Sequence, residues 1–232
     1  MNRATLADAL KARTRTLHRQ AEREGFVADL IRGSASRERY ALWLRNLHPV
    51  YRVLEWALER HRQAPGVRRV VCPELYRSAA LAADLSALAG GGWRRLPLLA
   101  ESRSYAGRLA GAGRHAPAGL VAHAYTRYLG DLNGGRVLRR RLVESLALPS
   151  PCLGFYEFPG ATELPGLATA YRRGVNAAGA ELSDWTGLMA EAEAAFRCTI
   201  ALSVAVERYH RPPGAEIDAP HAPANDARGR AR

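Results

Sequence analysis

Apolar residues recur at helical spacing along nearly the whole chain, and no stretch shows the sustained alternation of a strand. Leu6, Leu10, Leu17 and Ala21 mark a first amphipathic segment with arginines between them. Ser36 suits an N-cap, and Tyr40, Trp43, Leu44, Leu47, Tyr51, Leu54 and Leu58 then predict a helix over 36–62. Pro49 lies inside that pattern and is expected to kink or divide it. Further helices are predicted over 72–88, closed by Gly90, Gly91 and Gly92, and over 97–112. The long segment 117–146 sets Leu120, Val121, Ala124, Tyr125, Tyr128 and Leu132 on one face. Residues 149–160 read as a turn-rich connection. Helices come next over 163–180 and 183–210, the last with Trp185, Leu188, Met189, Ala192, Phe196, Thr199, Ile200 and Ser203 in register. The pattern therefore predicts a single all-α domain over residues 1–210. From Arg211 the chain is rich in proline, alanine and charge, has no apolar face, and is expected to be a disordered tail to residue 232.

Gly130, Gly134 and Gly135 sit within the longest predicted helix. Each costs roughly 1 kcal/mol relative to alanine in a helix interior. Three such costs in six residues mean that the helix ends, that a second helix packs closely, or that something else must approach its backbone.

A chain of 232 residues, 47% hydrophobic and 24% charged, can bury one sizeable core without a second domain. Its net charge of +12 raises nucleic acid as a partner, but the arginines are dispersed and only Leu138–Leu142 gathers three of them. Aromatic residues do not interleave with them as a stacking surface requires, so no nucleic-acid partner is expected. The charge suits an acidic protein partner or an anionic small molecule instead. Cys72, Cys152 and Cys198 are far apart, lack metal-ligand spacing, and read as reduced thiols. There is no secretory h-region and no run of 18 apolar residues. A cytoplasmic protein without membrane association is the expectation.

One histidine stands in a suggestive setting. His18 lies on the first helix with Glu22 four residues on, close enough for the carboxylate to meet one ring nitrogen. That contact sets the tautomer and leaves the other nitrogen available to a metal. Arg15 and Lys11, the only lysine, lie one and two turns earlier, as two propionates of an iron porphyrin would need. An i, i+4 His–Glu pair is also common on ordinary helix surfaces. His123, on the glycine-bearing segment, is the rival ligand; His61, His115, His210 and His221 fall near loops or in the tail, and His48 abuts Pro49.

Several stretches together resemble the heme oxygenase family. "VAHAYTRYLGDLNGGRVL" (121–138) is similar to its signature helix nearly residue for residue, and "LKARTRTLHRQAE" (10–22) to its proximal segment. "NLHPVYRVLE" (46–55), "GFYEFPG" (154–160), "AYRRGVN" (170–176) and "EAEAAFRCTIAL" (191–202) continue the match in order, over about residues 5–210. The resemblance implies an all-helical fold with heme between a proximal and a distal helix. His18 would be the iron ligand and Glu22 the partner of its second nitrogen. Gly130 and Gly134 would let the distal helix backbone bend over the heme face, with Gly135 adding flexibility. Asp131 would hold a water chain with Tyr51 and Arg127, delivering protons at one remove instead of from an acid directly over the iron. Lys11, Arg15, Tyr125 and Arg172 would meet the propionates, and Phe196 would line the pocket.

Two departures stand out. "LHPVY" puts His48 and Pro49 where relatives often have other residues, which could displace Tyr51 from the water network. The membrane-anchoring tail of animal members is replaced by the polar stretch after Arg211, as in soluble bacterial forms. The implied activity is oxidative opening of heme, at once substrate and cofactor, to biliverdin, carbon monoxide and ferrous iron. It needs O2 and electrons from an external donor such as a ferredoxin, flavodoxin or reductase. A heme-sequestering or heme-delivering protein would keep His18 and the basic residues but need neither the glycines nor Asp131. A thiaminase-like hydrolase would need a cysteine near paired carboxylates, and none of the three has that setting.

Overall fold

A computed structural model describes residues 5–158 and 164–209. Among these the helices are α1 (Leu6–Ala21), α2 (Gly25–Arg32), α3 (Arg37–Arg60), α4 (Ser78–Ala89), α5 (Ala100–His115), α6 (Gly119–Ala124), α7 (Gly130–Leu146), α8 (Leu164–Glu181) and α9 (Thr186–Arg208). A π turn over Tyr125–Leu129 joins α6 to α7, and the described residues contain no strand. The expected tail after Arg211 lies outside the described residues.

Helix α3 runs through the middle, packed on α4, α5, α6 and α9. Its Ser36 is the N-cap, accepting from the Arg39 N–H at 3.2 Å. Of the two expected effects of Pro49, division does not occur: α3 is one helix of 24 residues. Proline removes one backbone donor, the one that would have bonded the Arg45 carbonyl, and leaves the rest of the helical ladder in place. Here the buried Asn46 amide, just before Pro49, donates to the carbonyls of Leu42 at 2.8 Å and Pro97 at 3.0 Å. Its own carbonyl accepts from Ser102 at 2.6 Å. Tertiary packing holds α3 together where local propensity would break it.

Other boundaries differ from the sequence pattern for similar reasons. The helix predicted from residue 72 begins at Ser78, because Pro73–Leu75 forms a 3₁₀ turn and Glu55 caps α4 from another helix. The Glu55 carboxylate accepts from the backbone N–H of Arg77 at 2.5 Å and of Ser78 at 2.9 Å. The helix predicted at 97–112 is shifted to 100–115, since Leu99 N–H is engaged by the Asn46 side chain at 2.8 Å.

The short α2 is absent from the periodicity. It begins at Gly25 with φ +67° and ends at Gly33 with φ +75°. Gly25 is required twice over, by its left-handed backbone and by space. A Cβ there would lie 2.5 Å from the backbone of Ser203 and Val204 on α9. The Ser203 hydroxyl secures the junction, accepting from Val27 N–H at 2.9 Å and donating to the Glu24 carbonyl at 3.2 Å. Helix α1 packs on α9, α8 and α2, whereas α7 packs on α2 and α8; α1 and α7 thus share two neighbours. Gly25→Ala should cost about 3 kcal/mol or more. Thermal denaturation should then show Tm lowered by roughly 6–12 °C.

Candidate functional site

The network expected on the distal side is built from α3, the π turn and α7. The Tyr51 hydroxyl donates to Asp131 Oδ2 at 2.5 Å. Arg127 Nε donates to the same hydroxyl oxygen at 2.9 Å, and its Nη2 lies 3.6 Å from Asp131 Oδ1. Its Nη1 donates to Thr199 of α9 at 3.2 Å. All three predicted network residues therefore meet, and Pro49 does not displace Tyr51. Thr199 enters the sequence pattern only as part of a helical register; a hydroxyl in that otherwise apolar face is the available signal.

Burial governs the electrostatics. It pushes Asp131 up from the usual 3.8 to about 6, against the pull of the Arg127 charge and the Tyr51 hydrogen bond. Burial also drives the Tyr51 phenol well above its ordinary range. Arg127 remains charged, its desolvation outweighed by Tyr51 and Asp131. An acid with a pKa of about 6 can both hold and release a proton near neutrality.

In front of this network the helix is bare. A Cβ at Gly130 or at Gly134 would meet nothing within 4 Å. The close-packing explanation for these two glycines is thereby removed, and open space lies against the α7 backbone. Gly135 behaves differently. A Cβ there would stand 3.2 Å from the Tyr156 ring, so Gly135 sits at a tight packing contact. The buried hydroxyls of Tyr128 and Tyr156 have no hydrogen-bond partner within the protein, which leaves polar valence for a water or ligand.

The proximal side is exposed. His18 lies in the last turn of α1 with its side chain 57% exposed, and Nδ1 is 3.5 Å from Glu22 Oε1. That is an ion-pair distance and long for a hydrogen bond. The imidazole stands 5.8 Å from the Phe196 ring of α9, tilted by 58°. Lys11 and Arg15 are exposed on the same helix. Arg172 on α8 bonds Asp8 of α1. Tyr125 is buried at the start of the π turn, where burial raises its phenol against the influence of Arg172.

The rival histidine is differently employed. His123 is wholly buried, with Nε2 2.9 Å from Glu191, which also receives a two-point bond from Arg108. It belongs to a half-buried polar cluster joining α5, α6 and α9, in which burial lowers the imidazole pKa. No helix among the described residues is long and apolar enough to cross a membrane.

A family model described as heme oxygenase matches residues 4–204. Human heme oxygenase 1 is 36% identical over 201 residues, covering 85% of this chain and 70% of that protein. The heme complex of heme oxygenase-1 from the cyanobacterium Synechocystis has a similar structure, with a TM-score of 0.81 and 30% identity over 88% of this chain and 93% of that one. Heme oxygenase from Leptospira interrogans is similar too, with a TM-score of 0.81 and 29% identity over 87% of this chain and 99% of that one.

The carboxyl network makes one prediction about stability. Asp131 has a folded-state pKa raised above its unfolded value, so it stabilises the fold most when protonated. That contribution is full below about pH 4 and lost as pH rises through about 6. Denaturant unfolding at stepped pH should show it, and Asp131→Asn should remove about 3 kcal/mol of the pH dependence in that window. With the distal network, the bare glycine face and these likenesses together, the chain belongs to the heme oxygenase family.

Proposed function

We propose that this heme oxygenase takes its substrate between α1 and α7, with His18 as the protein ligand to the iron. Its α1 position and exposed ring support that role, and Glu22 would bias the ring toward a tautomer with Nε2 available. His123 is unsuited, being buried and committed to Glu191. Lys11 and Arg15 would receive the propionates, and Arg172 would join them by exchanging Asp8 for a propionate. Phe196 would pack against the porphyrin beside His18 and Tyr125 would line its edge.

The observation that carries the enzymatic reading is the pairing of a side-chain-free helix face with a buried acid immediately behind it. Gly130 and Gly134 leave room for substrate and oxygen to sit against the backbone. Asp131, on the same turn, is held by Tyr51 and Arg127, so its proton reaches the open face through water and not by direct contact. A group so placed supplies protons slowly and one at a time, without presenting a strong acid over the iron. The bound heme itself supplies the metal at which oxygen is activated and the ring carbon that is oxidised. Biliverdin, carbon monoxide and ferrous iron are the products this reading assigns. Electrons would come from an external donor such as a ferredoxin, flavodoxin or reductase, and the +12 charge favours an acidic one. The three unpaired cysteines suit a reducing compartment such as the cytoplasm.

A carrier that binds heme without opening it would have no use for Asp131 buried at a desolvation cost. Hemin titration followed by reductant in air separates the two. The Soret band should disappear as biliverdin absorbance grows; a stable complex under competent reduction would favour the carrier. His18→Ala should remove the axial nitrogen signature from the ferric spectrum, whereas an unchanged spectrum would move the ligand elsewhere.

A further inference from the structure

Asp84 lies on α4, outside the distal network, and only 1% of its surface is exposed. An aspartate buried behind an active site has a desolvation cost that an apolar residue would avoid. Its carboxylate is used on backbone: Oδ1 accepts from Gly154 N–H at 2.9 Å and Oδ2 from Phe155 N–H at 2.8 Å. These are the opening donors of the 3₁₀ turn Gly154–Tyr156. Gly154 fits that grip, since a Cβ there would lie 3.0 Å from Asp84 Oδ1.

The two aromatic residues of this turn both touch the distal machinery. The Phe155 ring meets the edge of the Tyr51 ring at 5.5 Å and 79°. Tyr156 lies against the α7 backbone at Gly135, where no side chain larger than hydrogen fits without a shift. One carboxylate thus clamps a turn that supports Tyr51 on one side and the glycine helix on the other.

We propose that Asp84 is a positioning residue for catalysis, setting the Tyr51–Arg127–Asp131 network and α7 through the turn Gly154–Tyr156. The proposal rests on the reading of that network as the proton-holding group. Burial raises the Asp84 carboxyl to about 6, against the pull of the two backbone bonds. A clamp of this kind acts on catalysis by geometry alone, since small misplacements of a proton source have large rate effects.

The test compares Asp84→Asn with the wild-type chain, alone and with Asp131→Asn. Asparagine keeps the shape and one acceptor oxygen but loses the second grip. Biliverdin formation should fall on the order of tenfold in Asp84→Asn, with hemin affinity changed less than about twofold. In the Asp131→Asn background the same change should lower the rate less than about twofold, because the network it positions is already disabled. Amide hydrogen exchange without hemin should quicken over both 154–156 and 128–136. Phe155→Leu weakens the same link from the other end and should act in the same direction. Additive rate losses in the double variant, or faster exchange confined to 154–156, would overturn the proposal. If wild-type protein forms no biliverdin the catalytic reading fails on its own, while exchange still decides whether Asp84 couples the turn to α7.

Discussion

Helix α7 has no side chains at Gly130 and Gly134 with which to pack, so nothing in front of it sets its position. Every constraint on that helix must come from behind or from its ends. Asp131 is bonded to Tyr51 of α3, Gly135 is pressed on Tyr156, and the π turn Tyr125–Leu129 feeds into its first residue. The extra residue of a π turn rotates the next helical segment relative to an uninterrupted α-helix. Arg127 within the π turn and Asp131 just after it keep the i, i+4 proximity of an ordinary helix, at 3.6 Å. The bare face and the crowded back are two halves of one arrangement.

The two sides of the cleft differ in their physics. His18 is exposed and only loosely met by Glu22, which leaves its ring open to the partner proposed for it. Asp131 is buried and held by a phenol and a guanidinium, an arrangement that removing either partner would leave with an unsatisfied charge. One side waits for a ligand while the other is complete without it. That asymmetry is what the proposed division between an iron ligand at His18 and a proton-holding group at Asp131 would require.

Much of this is legible in the sequence because helices with strong apolar periodicity leave a clear trace. The N-cap at Ser36 and the course of α8 and α9 follow from periodicity, whereas the meeting of Tyr51, Arg127 and Asp131 is implied only by the family resemblance of the stretches that carry them. The features that escape it are set by tertiary contact. Pro49 is tolerated because Pro97 and Ser102 bind the neighbouring Asn46 from other elements. Helix α2 is only eight residues long and depends on Ser203, distant in sequence. The start of α4 is set by Glu55 on another helix, and the role of Gly135 by Tyr156 from a loop. None of these partners is within one helical turn of the residue it governs, so no local pattern could reveal them.

If the space against Gly130 and Gly134 exists for substrate and not for packing, filling it must affect folding and turnover in opposite directions. Gly134→Ala sets the two quantities against each other, the stability of the protein without hemin and its turnover of hemin. With nothing within 4 Å of the added methyl, the substitution should raise stability by the helix propensity gain of roughly 1 kcal/mol. Biliverdin formation should fall sharply in the same variant. Loss of stability without hemin, or turnover retained at the wild-type rate, would mean that the bare face serves something other than substrate.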